Sequence, residues 1–235
     1  MEILKGIEIK GKSLWFPKQK ILIIADLHLG YEEAMNERGV LAPRTMLAEM
    51  KKEISDLLKL KPKTIIINGD LKHEFGKISR QEWKDANEIL DLLAKNKRKI
   101  ILIKGNHDLI LKTIAERKGI ETKDFLIMKD ICITHGHKIF TECLDKKIKT
   151  IIIGHEHPSI SLEEGAKKEK YKCFLLGKYN KKNLIAMPSF FTIFEGSDVL
   201  REKLLSPYLN ERTIKNFRVF AVGDRAYRFG KLKDI

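Results

Sequence analysis

The sequence predicts an α+β fold with an α/β-like first half, from three observations. Five isoleucine-rich runs of strand length punctuate residues 21–153, amphipathic helical segments alternate with them, and the chain beyond about residue 159 is mostly strand-patterned. No repeat, low-complexity block or Pro/Gly/Ser linker divides the 235 residues, so one domain spanning 1–235 is expected.

Residues 2–9 and 13–16 alternate apolar and polar positions on either side of Lys10-Gly11-Lys12, the pattern of a hairpin. The five runs follow: residues 21–25, 64–67, 100–103, 131–134 and 151–153. Each is continuously β-branched rather than alternating, as in strands covered on both faces, so the five are expected to form one interior sheet. Residues 43–60 read as a helix with Pro43 near its first turn and Met46, Leu47, Met50, Ile54, Leu57 and Leu58 on one stripe. Residues 79–93 read as a second helix, opened by Ser79 with Glu82 three positions on, a capping box. Segments 171–176, 183–187, 218–222 and 226–229 read as strands of a second sheet, the last two joined through Val222-Gly223-Asp224-Arg225.

Composition narrows the function classes. With 46 Lys+Arg against 32 Asp+Glu the formal charge is +14, and 36 of the basic residues are lysine. Such a surface attracts polyanions, nucleic acid first among them, but Lys- and Glu-rich surfaces also occur where proteins withstand heat, so charge alone does not decide. Cys132, Cys143 and Cys173 are widely spaced with no Cys-x-x-Cys, so reduced thiols and a cytoplasmic location are expected, with neither a disulfide framework nor a zinc ribbon. No apolar run has signal-peptide or membrane-spanning length, so neither secretion nor a membrane role is expected.

The chemistry sits just after the five runs. They end in Asp26-Leu27-His28, Asn68-Gly69-Asp70, Gly105-Asn106-His107-Asp108, His135-Gly136-His137 and Gly154-His155-Glu156-His157, and with His73 these segments account for all seven histidines. Each motif alone has a bland reading as a turn or a solvated pair. Their recurrence after successive strands does not, because loops at the carboxyl ends of sheet strands are where ligands bind. Carboxylate, imidazole and amide donors without thiolate suit manganese, iron or zinc, whereas calcium and structural zinc fit poorly. Asp26, His28, Asp70, Asn106, His135, His155 and His157 are too many donors for one open catalytic ion. Two divalent ions bridged by a carboxylate are the economical reading. Spacing leaves His135 and His137 as alternatives.

In these five ordered blocks, spanning Asp26 to His157, the sequence resembles the calcineurin-like metallophosphoesterases. The wording Ala25-Asp26-Leu27-His28-Leu29-Gly30 and Gly69-Asp70-Leu71-Lys72-His73 is similar to the branch of SbcD-type repair nucleases, and Gly154-His155-Glu156-His157-Pro158 resembles the small archaeal SbcD-related, ICC-like members. The resemblance implies a four-layer αββα sandwich of two mixed sheets flanked by helices. It implies one ion on Asp26, His28, Asp70 and His157 and another on Asp70, Asn106, His135 and His155, favouring His135 over His137. It also implies that His107 is the catalytic histidine, that Asp108 orients it, and that His73 contacts substrate phosphate. Manganese is the first candidate metal, with iron, zinc or nickel behind it. A DNA-repair helicase or ligase is the implied protein partner.

The reaction so implied is phosphodiester hydrolysis by in-line attack of a hydroxide bridging the two ions, with no covalent intermediate. Nucleic acid is the favoured substrate. Lysine-rich segments 95–99, 145–149, 167–172 and 178–182 would track its backbone or else form ordinary solvated surface. Tyr31, Phe75, Phe140, Phe190 and Phe191 would stack bases or else fill the core, and Arg38 and Arg44 would grip a terminal phosphate. The alternatives are a phosphodiesterase or phosphatase for small nucleotides or other metabolites, and a non-catalytic scaffold of the same fold.

Overall fold

The computed structural model describes residues 1–41, 45–74, 79–107, 115–165 and 167–235. Two mixed sheets divide the chain by sequence. The first comprises β1 (Glu2–Leu4), β2 (Ile7–Lys10), β3 (Ser13–Phe16), β4 (Ile21–Ile24), β5 (Thr64–Asn68), β6 (Lys99–Ile103) and β7 (Glu121–Lys123), in that spatial order. Its first three neighbour pairs are antiparallel and its last three parallel. The second comprises β8 (Phe125–Met128), β9 (Ile131–Thr134), β10 (Thr150–Ile153), β11 (Pro158–Glu164), β12 (Lys167–Tyr179), β13 (Lys182–Ala186), β14 (Ser197–Asp198), β15 (Arg218–Val222) and β16 (Ala226–Lys231). Its main path runs β14-β11-β12-β13-β10-β9-β8, with β15 against β12 and β16 against β15.

The five isoleucine runs therefore do not form one sheet. β4, β5 and β6 belong to the first, β9 and β10 to the second, and the second sheet begins near residue 125 rather than 159. Continuous apolar runs look alike whichever sheet they enter, because both faces of each strand are covered. Strand parity then assigns the layers. Ile23, Ile66 and Ile101 face Ile133, Ile152, Phe174 and Ile185 in a core between the sheets. Leu22, Ile24, Ile65 and Ile67 point the other way, onto Met46, Met50 and Ile54 of α2 (Met46–Leu58) and Ile89 and Leu93 of α3 (Arg80–Ala94). The outer face of the second sheet, with Ile151, Ile153 and Leu184, is covered by Tyr208, Ile214 and Phe217, Ile214 belonging to a single helical turn, Glu211–Ile214. The four layers are thus present, the fourth being thin.

Within this frame α3 starts as its sequence dictates. Ser79 accepts from Glu82 N–H at 3.0 Å and Glu82 accepts from Ser79 N–H at 3.0 Å. The helix read over 43–60 is α2, Met46–Leu58; Pro43 and Arg44 lie outside the described residues. A seven-residue helix, α1 (Tyr31–Glu37), was not legible, being too short to show an apolar period. The cysteine expectation fails for two of the three. Cys132 in β9 and Cys143 in the turn Thr141–Leu144 form a disulfide with Cα atoms 5.4 Å apart, because the chain leaving β9 folds back over the outer core that both residues join. Cys173 is buried and unbonded. No helix among the described residues is long and apolar enough to cross a membrane.

Replacing Ser79 with Ala removes the cap. It should cost about 1 kcal/mol and lower the thermal midpoint by about 2–4 °C, as read by calorimetry. An unchanged midpoint would show that the capping box contributes nothing.

Candidate metal centre

The five loop tips meet on one rim, at the carboxyl ends of β4, β5, β6, β9 and β10, where the two sheets abut. The loops after β4 and β5 continue side by side as a ladder: Asp26 N–H donates to Gly69 O (3.2 Å), His28 N–H to Asp70 O (2.9 Å), and His73 N–H to Leu29 O (2.9 Å). The other sheet is joined to them through Asp26, whose carboxylate accepts from His155 N–H at 3.1 Å. Gly154 N–H donates to His135 O at 2.8 Å, locking the β9 and β10 loops together.

The backbone is bent sharply to achieve this. Asp26, His28, Asp70, His155 and His157 all adopt positive φ, between 45° and 64°. For non-glycine residues the left-handed region costs about 1–2 kcal/mol each, and such strain clusters at functional sites. Two glycines are required by close approach rather than by habit. A Cβ on Gly105 would stand 2.0 Å from Asp70 Oδ1, and one on Gly69 (φ +82) would stand 2.1 Å from His135 Nδ1. The Gly-Asp and Gly-Asn-His motifs thus carry glycine because a carboxylate and an imidazole occupy the space.

The donors gather into two groups. Asp26, His28 and His157 bring their donor atoms within 4.8 Å of one another, as do Asp70, His135 and His155. Asp70 stands between them: its Oδ2 lies 3.2 Å from His135 Nε2 and 3.9 Å from His28 Nε2. Asn106 Oδ1 lies 3.0 Å from His135 Nε2, so the amide joins the second group. His137 belongs to neither group, its ring 5.3 Å from that of His135. His28 Nε2 and His157 Nε2 face each other at 3.2 Å, and His28 Nδ1 is buried with no hydrogen-bond partner among the described residues. Converging imidazole nitrogens beside two buried carboxylates, with no thiolate, form a donor set that fits divalent cations of intermediate hardness.

His73 and His107 form a further group with His28. Their rings stack with centroids 5.7 Å apart, and His107 Nδ1 is hydrogen-bonded to the His73 carbonyl. A carbonyl only accepts, so Nδ1 carries the proton and Nε2 is the nitrogen 3.9 Å from Asp70. Asp108, read as orienting His107, lies outside the described residues, as do Phe75 and Arg44. Of the remaining aromatics, Phe190 is fully buried in the core and Phe140 packs on the outer core. Tyr31 and Phe191 border the site, with Tyr31 4.6 Å from the His73 ring and Phe191 6.1 Å from that of His28. Arg38 pairs with Glu74 at 3.6 Å.

Electrostatics divides the histidines. Burial lowers His28 and His155, the latter to about 4, with a neighbouring imidazole adding to the effect in each: His157 for His28 and His135 for His155. Burial and His107 together lower His73 to about 4. His135 goes the other way: burial lowers it, but the Asp70 hydrogen bond and the Asp26 and Asp70 charges outweigh that and raise it to about 9. Burial likewise pushes Asp70 up, and bonding to His135 reverses this and holds it well below the usual carboxylate range. His135 Nε2 and Asp70 Oδ2, 3.2 Å apart, thus each favour the charged form of the other.

Sequence reasoning missed two supports. Lys172, on β12, is largely buried and donates to Ser189 O (3.0 Å), Ser189 Oγ (2.6 Å) and Phe191 O (2.5 Å). The segment it grips is bonded in turn to the first sheet, with Phe190 N–H donating to Ala25 O at 2.7 Å and Phe191 N–H to Asp26 O at 3.2 Å. Glu156, fully buried between His155 and His157, accepts from Leu205 N–H (2.9 Å) and Ser206 N–H (2.8 Å). Lys172 was masked by its neighbours, being one of several lysines along β12. Glu156 gave no signal.

Residues 19–159 match the calcineurin-like phosphoesterase family, a span that includes every donor named above. The crystal structure of Pseudomonas putida nuclease MPE superposes with a TM-score of 0.66 at 18% identity, covering 93% of this chain and 92% of that one. Yfce, a phosphoesterase from E. coli, gives a TM-score of 0.42 at 14% identity over 75% of this chain and 83% of that one. No curated protein sequence matches.

Two outcomes are expected. Metal binding near pH 7.5 should release at least one proton, because a histidine raised to about 9 has to shed its proton to act as a ligand; calorimetry in buffers of different ionisation enthalpy reads this, and zero release would contradict it. Lys172→Met should weaken metal affinity by about 10-fold or more, the usual cost of disturbing groups that orient ligands. Unaltered affinity would reduce Lys172 to a packing role.

Proposed function

The chain belongs to the calcineurin-like phosphoesterase family, and on that premise we propose that it is a metal-dependent phosphodiesterase acting on nucleic acid. The observation supporting this reading most directly is the position of Asp70 between two donor groups. In the proposal, Asp26, His28, Asp70 and His157 hold one divalent cation and Asp70, Asn106, His135 and His155 the other, manganese being the first candidate. When bound, such a pair lowers the pKa of a water nucleophile and neutralises the non-bridging phosphoryl oxygens.

The remaining residues position the ester and handle its proton. The His73 carbonyl holds the proton on His107 Nδ1 and turns Nε2 toward the centre; in the imidazolium form Nε2–H is placed to stabilise developing charge or to pass its proton to the leaving oxygen, leaving the neutral ring. The His73 ring, stacked beside it and closed in by Tyr31, contacts a phosphate oxygen. Tyr31 and Phe191 wall the same side with apolar surface. The net charge of +14 favours a polyanionic substrate over a small one, since attraction grows with the number of phosphates engaged.

Asp70→Asn should abolish hydrolysis of a bis-aryl phosphate and lower metal content. His107→Ala should abolish hydrolysis while metal content stays at the wild-type level. Metal analysis alongside the activity assay separates the two, and full metal occupancy in Asp70→Asn would remove the proposed bridge.

A further inference from the structure

A second feature lies beside the centre and takes no part in it. Segment 197–206 is pinned at both ends to the loop carrying His155 and His157. Ser197 N–H donates to His157 O at 3.0 Å, and Glu156 accepts from Leu205 and Ser206. Between these pins, residues 199–203 form one wall of an open groove of about 790 Å³ whose other wall is residues 211–215. Its buried floor is Val199 and Ile214, with Leu200 partly exposed at 41%.

The charges on this groove are unequal. Lys203, Arg212 and Lys215 are exposed, and none of the three side chains makes an ion pair among the described residues. Arg201 is taken up by Glu163 at 2.7 Å, and Glu202 by Lys170 at 3.0 Å. Of the lining carboxylates, Glu211 is left against three uncompensated cations. By contrast, the lysine-rich stretch 167–172 is mostly engaged: Lys167 with Glu169, Lys168 with Glu163, Lys170 with Glu202, and Lys172 buried. The free positive charge in this region lies on the groove.

We infer that this groove binds the phosphodiester backbone of a single nucleic-acid strand running to or from the metal centre, with Lys203, Arg212 and Lys215 on successive phosphates. This rests on the nucleic-acid reading above and adds a second binding site to it. Leu200 to Lys203 lie within four residues of a pinned position, about 14 Å of chain at most, so the groove opens close to the loop carrying His155 and His157. The apolar floor suits the unpaired base and sugar faces that a single strand exposes.

The test is fluorescence anisotropy with a labelled single-stranded oligonucleotide across a salt series, comparing wild type with the triple variant Lys203→Ala, Arg212→Ala, Lys215→Ala. The variant should bind roughly tenfold more weakly or worse, and its log K against log salt slope should shrink by about 2, three contacts at about 0.7 each. Metal content and thermal midpoint verify its fold. Equal affinity and slope in the two proteins would overturn the groove while leaving the nucleic-acid reading intact. Failure of the wild type to bind the oligonucleotide while hydrolysing a bis-aryl phosphate would overturn both.

Discussion

Two buried carboxylates govern this structure. Asp26 is fully buried and Asp70 is 1% exposed, at the seam where the two sheets abut. Burying an ionised carboxylate without compensation is prohibitive. The compensation is local: His155 N–H on Asp26, His107 N–H on Asp70 at 3.0 Å, and the raised His135 between the two acids. Everything else on the rim can be read as a means of keeping those two charges close together and accessible from one side.

The scaffold does this by bringing strand ends of two sheets to a common edge. Parallel pairing of β4, β5 and β6 lays Asp26, Asp70 and Asn106 side by side, and parallel pairing of β9 and β10 does the same for His135 and His155. The left-handed backbone at five donor positions turns side chains inward that an ordinary strand exit would splay, and packing on either side over-determines those conformations. Lys172 contributes from a distance, holding segment 189–191 against the backbone of Ala25 and Asp26.

Much of this was legible in the sequence because loop chemistry is local. Asp-x-His, Gly-Asp, Gly-Asn-His and Gly-His-x-His each require a strand end and a sharp turn, and both are written within a few residues. Ser79 with Glu82 announced α3 for the same reason. The partition of the isoleucine runs between two sheets was not legible, since Ile23 and Ile152 look alike until their partners across the interface are known. The Cys132–Cys143 bond and the grip of Lys172 on Ser189 and Phe191 are likewise long-range pairings with no periodic signature. Spacing could not show that His135 is the one standing beside Asp70 Oδ2 and Asn106 Oδ1.

The measurement bearing most directly on the central claim is anomalous diffraction from crystals grown with manganese. Two peaks per chain about 3.5–4 Å apart, with the Asp70 carboxylate touching both, are predicted. A single ion, or two ions with Asp70 bound to only one of them, would contradict it.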